Sequence, residues 1–358
     1  MVGRGAETGK GLIMKKYTFA SLVFILSICS LKGQTSIGQI FPHNNYAVII
    51  NGGGNIGNNH ITYWNDCSAY YKTLTQFYGY KAENIYVLIS DGLNASNDRT
   101  LGNGQIDSSP WDLDGNGTND IQYAATKANL SAVFTDLSKK ITNQNDLFVY
   151  LTGPGGYDSI KGSFLVLWNE EFLFPEDFAK EIDKINASHI TTIISTSHSG
   201  GFLSKLDGPS NRIIMTSCLE LQSAERLTNN SLFDSYWISA VNRTTPIQND
   251  KYFIDRDRNG FISMNEAFLY TKIYGYGSTK AVPLISGPAS SVSLFGGIPV
   301  GTTLLRGGTI TTNDSFKNKH IILKDITITN GAKLTLDADT ISIYDIFRVD
   351  NNSEVEFK

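Results

Sequence analysis

Three features of the sequence predict an α/β fold: a mostly parallel sheet with helices on both faces, followed by a small β-rich, solenoid-like C-terminal module. The first is a series of short, continuously apolar runs, such as YAVIIN at residues 46–51 and NIYVLIS at 84–90. Strands of a parallel sheet are buried on both faces, so they read as unbroken runs and not as alternation. The second is that apolar residues between these runs recur at helical spacing. The third is a change of texture after about Gly287, where helical periodicity stops and alternating apolar residues with Asn-rich turns take over.

Along the chain, the run at 46–51 closes on Gly52, Gly53 and Gly54. Trp64, Cys67, Tyr71, Leu74 and Tyr78 then mark one face of a helix. Residues 84–90 form a second strand, closed by Asp91 and Gly92. Leu130, Val133, Phe134, Leu137 and Ile141 mark the next helix. Strands follow at 146–151, 189–196 and 212–217, with a helix over 176–185. Alternation of strand and helix requires crossovers, hence a parallel sheet. In such sheets ligands bind at the carboxyl ends of the strands. In the tail, ITNGAKLTL at 328–336 resembles VDNNSEVEF at 349–357, an offset of 21 residues that suggests stacked β-coils.

The division expected is an N-terminal extension and signal peptide at 1–33, an α/β domain at 34–288, and a β-rich accessory module at 289–358 with the look of a truncated array. Met14, Lys15 and Lys16 precede a 13-residue apolar run at 19–31 and then Lys32-Gly33-Gln34. A basic start, a short apolar stretch and a small residue before a polar one describe a secretory signal. The run is shorter than the roughly 20 residues of a membrane span. A secreted or cell-surface location is therefore expected, with no membrane span.

Composition narrows the classes further. With 30 basic and 34 acidic side chains the net charge is −4, which argues against a nucleic-acid partner held by a basic field. An apolar content of 41% and an aromatic content of 11% exclude a disordered chain. Three cysteines without a C-x-x-C pair exclude a disulfide framework and give no zinc or redox motif. Cys29 lies in the apolar run. Cys67 and Cys218 are expected as isolated buried thiols.

Two loops carry calcium-type patterns. Asp255, Asp257, Asn259, Gly260, Phe261 and Glu266 match an EF-hand loop: oxygens at positions 1, 3 and 5, Gly at 6, a backbone carbonyl at 7 and Glu at 12. A helix over 267–274 follows. Asp112, Asp114, Asn116, Thr118 and Asp120 form a relative without the terminal Glu, for which an Asp/Asn/Gly-rich turn is an equal alternative. Calcium would act there as a structural clip, and no catalytic cofactor is expected.

The order of these elements resembles the legumain family of cysteine peptidases, in the wider caspase-like group. The resemblance is carried by YAVIINGGG, WNDCSAYYKTLTQFYG, NIYVLISDG, FVYLTGPGG, TTIISTSHSGG and RIIMTSC, and covers roughly residues 46–241. It implies a caspase/legumain-like sheet and a cleft for a peptide or protein substrate. In that family the third strand ends in Thr-Asp-His-Gly, whose His is the general base, and the fourth ends in a nucleophilic Cys followed by x-Ser-Gly. On this chain the Asp position is Gly153, the His position Pro154 and the Cys position Ser197. Gly155, whose amide would be an oxyanion donor, and the Ser199-Gly200 pair are kept.

Proline has no ionisable side chain and cannot serve as a base. A serine hydroxyl is a weak nucleophile without one. His198 is adjacent to Ser197 but is expected to point to the opposite side. His60, Thr62 and His198 are candidates for lining the substrate cleft. The leading expectation is a secreted legumain-like homologue without peptidase activity, which keeps a peptide-binding cleft. Restoring Asp, His and Cys at 153, 154 and 197 together is expected to create activity. The alternatives are an active endopeptidase of the family, or an inactivated variant of one, and a structural or adhesive surface protein. Oligomeric state is not legible.

Overall fold

The computed structural model describes residues 45–242, 254, 256, 262–277, 279–288 and 302–358. The expected signal peptide lies outside the described residues, as do Asp255, Asp257, Asn259 and Phe261 of the first calcium-type loop. The chain divides into two compact units.

The larger unit is built on six strands: β1 (Tyr46–Asn51), β2 (Ile85–Ile89), β5 (Asp146–Thr152), β9 (His189–Ser195), β10 (Arg212–Thr216) and β11 (Leu284–Ser286). Their order across the sheet is β11-β10-β9-β5-β1-β2. Every neighbouring pair is parallel except β10 with the edge strand β11. Strand periodicity sorts side chains to two cores. Ala47 and Ile49 face one that also holds Cys67, Tyr70, Tyr71 and Leu74, and Val48 and Ile50 face another with Leu130, Val133, Phe134 and Leu137. Those residues come from α1 (Ile61–Lys72) with the helical turn Thr73–Phe77 that continues it, and from α2 (Lys127–Lys140), on opposite faces as the sequence implies. Joining α2 are α3 (Pro175–Ile182) and α4 (Gly200–Leu206), and joining α1 are α5 (Leu232–Val241) and α6 (Met264–Tyr270).

Sequence reading did not reveal α4, α5 or β11. It also missed the pair β3 (Arg99–Thr100) and β4 (Ile106–Asp107), and the antiparallel sheet β6 (Gly155–Asp158), β7 (Gly162–Leu167) and β8 (Glu171–Leu173). That last sheet follows β5 directly and lies against the carboxyl ends of β1 and β5, Val166 reaching Gly52 and the Pro154 carbonyl. No helix among the described residues is long and apolar enough to cross a membrane.

The smaller unit contains β12 (Thr302–Ile310), β13 (Asp314–Ile328), β14 (Lys333–Val349) and β15 (Glu354–Phe357), all parallel in sequence order. Straight, β13 would extend roughly 50 Å. The residues 329–332 that join it to β14 span under about 20 Å. Parallel pairing is therefore possible only if each strand bends around a coil, which makes this a short β-solenoid. Ile328 pairs with Val349 and Leu334 with Val355. Both pairings carry the 21-residue offset of the sequence repeat. Leu323, Ile326, Ile328, Leu334 and Leu336 fill the interior.

Candidate functional site

The carboxyl ends of β5 and β9 lie side by side and are stitched by two threonines. Thr152 donates its hydroxyl to the Ser195 carbonyl at 3.0 Å, and Thr196 donates to the Gly153 carbonyl at 2.8 Å. Beyond them the two backbones touch. A Cβ added at Gly155 would lie 2.3 Å from both the Ser197 carbonyl oxygen and Thr196 Oγ1, so only glycine fits. The first residue of β6 is Gly155, paired with Leu165, and Val166 N–H donates to the Pro154 carbonyl at 2.8 Å. That bond makes Gly155–Leu165 a non-hydrogen-bonded pair, so the Gly155 amide points away from β7. It is free of the ladder, as an oxyanion donor must be.

Pro154 and Ser197 occupy these adjoining strand ends. The Ser197 hydroxyl accepts from Ala224 N–H at 3.1 Å. Its neighbour His198 has φ +63° and a half-buried ring. The His198 amide donates to the Gln222 carbonyl at 2.8 Å, and Nδ1 donates to the Glu220 carbonyl at 2.7 Å. The ring also packs on Tyr157, centroids 6.0 Å apart. The imidazole is thus held toward the 217–222 segment, and among the described residues no histidine is hydrogen-bonded to Ser197. Cys218 is buried, its thiol donating to the Gln222 carbonyl at 3.2 Å.

Gly153 has φ +134°, a backbone region that L-residues rarely adopt, and an added Cβ would sit 3.1 Å from Gly52 N. An aspartate is therefore strained at this position. This strain weighs on the expected restoration of Asp, His and Cys together, and it favours keeping Gly153 when His and Cys are restored.

On the far side of β1, His60 is the N-cap of α1, its Nδ1 accepting from Thr62 N–H at 3.3 Å. Burial, then the Arg226 cation, hold the imidazole below its ordinary range, so it is neutral near pH 7. Thr62 was expected to line the cleft. It is fully enclosed, with its hydroxyl 3.2 Å from His60 Nδ1, because the second residue of α1 turns toward the interior. Arg226, which sequence reading did not single out, donates to Tyr63 Oη at 3.1 Å and stacks over that ring at 5.3 Å.

The sequence model of the Peptidase C13 family matches residues 45–233, more than half of the chain. The chain belongs to the peptidase C13 family. This is the legumain family of the sequence resemblance, and the architecture is caspase/legumain-like. No curated protein matches. A solved structure, protein GSU0716 from Geobacter sulfurreducens, is similar over 71% of this chain and 99% of its own, at 8% identity and a TM-score of 0.43.

Behind its strand ends, this C13 family member buries two carboxyl groups that sequence reading did not find. Asp66 accepts from Asn230 Nδ2 at 2.7 Å, Ser231 Oγ at 2.6 Å and Ser231 N–H at 3.0 Å. Asp234 accepts from Tyr70 and Tyr150 hydroxyls, each at 2.9 Å. Both are fully enclosed. Burial pushes both above the ordinary carboxylate range, and for Asp66 the charge of Asp234 adds to it. Nothing in the sequence marks them, since 168 residues separate them.

Of the calcium-type loops, the second is described in full. Asp112, Asp114 and Asp120 each place a carboxylate oxygen within 4.8 Å of the others. Asp112 accepts from the amides of Gly115 and Gly117 at 2.6 and 2.7 Å, which hold it below its ordinary range. Asn116 Oδ1 accepts from Thr118 N–H at 2.8 Å. The donor set is hard oxygen and fits calcium chemistry. From the first loop, Glu266 is the N3 residue of a capping box on α6, accepting from Ser263 N–H and Oγ and from Arg256 N–H at 2.8–2.9 Å.

Proposed function

We propose that this chain is an exported member of the peptidase C13 family that binds peptide without hydrolysing it. The observation that carries the reading is the chemistry at the two strand ends. A pyrrolidine ring stands at 154, where the family places its base, and a hydroxyl bonded to Ala224 N–H stands at 197. The nearest imidazole in sequence, His198, is committed to the Glu220 carbonyl. A serine nucleophile needs an adjacent base, and none reaches it among the described residues.

Binding is supported by what remains around the strand ends. The Gly155 amide is free of its ladder, and Tyr157, Ile160, Leu219 and Leu221 are exposed apolar side chains on the flanking segments. Such side chains suit the apolar groups of a peptide whose carbonyl meets the amide. Calcium at Asp112, Asp114 and Asp120, and at the loop ending in Glu266, would hold the loops as a clip. Residues 14–33 would direct export.

The test uses reporter peptides carrying Asn, Asp, Arg or Lys before the scissile bond. The purified chain is expected to bind such peptides without turnover. Robust cleavage that disappears in Ser197→Ala would overturn the reading.

A further inference from the structure

Three side-chain oxygens beyond the end of β2 are enclosed without a hydrogen-bond partner: Asp91 Oδ1, Asp98 Oδ2 and Ser109 Oγ. Asp98 and Ser109 are 1% and 4% exposed. Buried polar atoms are almost always paired, so a group of them calls for an occupant. From these we infer that Asp91, Asp98 and Ser109 form a cation site, suited to calcium. This inference does not depend on the peptide-binding reading.

The three residues come from one hydrogen-bonded patch. Ser109 N–H donates to the other Asp98 oxygen, Oδ1, at 2.6 Å. Asn59 Nδ2 donates to the Asp98 carbonyl at 2.9 Å and to Ser90 Oγ at 2.6 Å, which ties the segment before β3 to the residue preceding Asp91. Asn51 Nδ2 donates to Asn59 Oδ1 at 2.9 Å, and its own Oδ1 is a fourth enclosed oxygen without a partner. Ser90 takes φ +43°, unusual for a non-glycine residue, and sets the turn from β2 into Asp91.

Electrostatics argue for a cation over water. Burial and the charge of Asp98 push the Asp91 carboxyl up to about 6, and no basic side chain offsets them at Asp91. Arg99 is the nearest basic residue in sequence, but it is bound to Asp107 through Nε at 2.7 Å and Nη2 at 2.8 Å. Its remaining Nη1 is enclosed without a partner, and its guanidinium lies 5.1 Å over Trp64. Among the described residues neither Asp91 nor Asp98 has an ion pair. Water can donate to two acceptors, but it leaves the repulsion between the half-buried Asp91 and the buried Asp98 carboxylates in place. Calcium accepts carboxylate, hydroxyl and amide oxygens in irregular geometry, whereas magnesium keeps several of its waters and suits an enclosed site poorly. The Asp112 loop differs, because backbone amides already satisfy its carboxylates.

The experiment uses the full chain with Asp112→Asn, Asp114→Asn and Glu266→Gln, which silences the two sequence-predicted loops. Titration with calcium alone to about 1 mM, the range of extracellular sites, is followed by calorimetry and by Tm. One equivalent is expected to bind and raise Tm, with magnesium giving a much smaller shift. Adding Asp91→Asn and Asp98→Asn should abolish binding and raise the metal-free Tm by relieving repulsion. Should the Asp98 variant fail to fold, Asp91→Asn alone is expected to weaken calcium at least about ten-fold, since affinity follows ligand charge. Absence of calcium binding in the loop-silenced chain would mean the oxygens hold water only and would overturn the inference. So would calcium affinity unchanged by the Asp91 and Asp98 substitutions.

Discussion

Two regions at the carboxyl edge of the same sheet have opposite characters. At the ends of β5 and β9, Thr152, Thr196, Ser197 and His198 each have a hydrogen-bond partner, and positions 154 and 197 carry no ionisable base. Beyond β2, one side-chain oxygen each of Asp91, Asp98 and Ser109 is enclosed and unpaired, Asp91 itself being half-buried. In the first region the side chains of Thr152 and of residues 196–198 are satisfied, Ser195 Oγ is enclosed without a partner, and the backbone presents an amide. In the second, unpaired oxygens point to a ligand that the protein itself does not supply. On the proposed reading, chemical reactivity has left the family's strand ends, while several unpaired oxygens lie beyond the neighbouring strand β2.

The contrast breaks most readily at Gly155. If the two strand ends form a tight scaffold, Gly155→Ala pushes a methyl into the Ser197 carbonyl and Thr196 Oγ1. A loss of about 3 kcal/mol in denaturant unfolding is expected, as for an overpacked core. Gly102→Ala, with nothing within 4 Å of its added Cβ, serves as the control and should change stability by less than about 0.5 kcal/mol. Equal effects at the two sites would show that the β5–β9 contact is loose.

A smaller effect comes from the buried pair behind the scaffold. Asp66 and Asp234 have folded pKa values raised above the unfolded value of about 4. A raised carboxyl disfavours folding where it must be ionised. The penalty is greatest above the folded value, is relieved as pH falls through it, and is gone below about pH 4. Asp234→Asn removes one of these groups. Its stability relative to the parent should therefore be higher at pH 8 than at pH 5 by about 1–2 kcal/mol, measured by urea midpoints at the two pH values. A pH-independent difference would remove the pair from the account.

The smallest effect is expected at His198. With its ring held by the Glu220 carbonyl and Tyr157, His198→Ala should cost about 1 kcal/mol in stability. Peptide affinity should change less than about three-fold, as read by fluorescence anisotropy of a labelled peptide. A collapse of binding would instead make His198 part of the binding surface.

Much of the fold was legible because continuous burial leaves a continuous apolar run. The strands at 46–51, 85–89, 146–152, 189–195 and 212–216 follow the runs closely, and α1 and α2 follow their apolar spacing. The 21-residue repeat gave the solenoid register, because a coil stacks like on like. The sheet β6-β7-β8 was missed since its half-exposed strands and short turns leave only a few alternating residues. For the candidate site, positions 154 and 197 were found through motif order. Thr62 is enclosed, not cleft-lining, because its place in the sequence does not say which way the second residue of α1 turns. Asp66 with Asp234, and Asp91 with Asp98 and Ser109, carry no spacing signature. Their neighbours are supplied by distant strands and loops, which only the folded chain brings together.

The central claim is that replacement at 154 and 197 removed the chemistry while the scaffold stayed. The most direct measurement is turnover of a reporter peptide by the Pro154→His, Ser197→Cys double variant, keeping Gly153 for its φ of +134°. Cleavage is expected to appear in the double variant and to exceed that of Ser197→Cys alone by about 100-fold, the lower range for a positioned base. A double variant that folds and binds peptide as the parent does, yet shows no turnover above Ser197→Cys, would contradict the account.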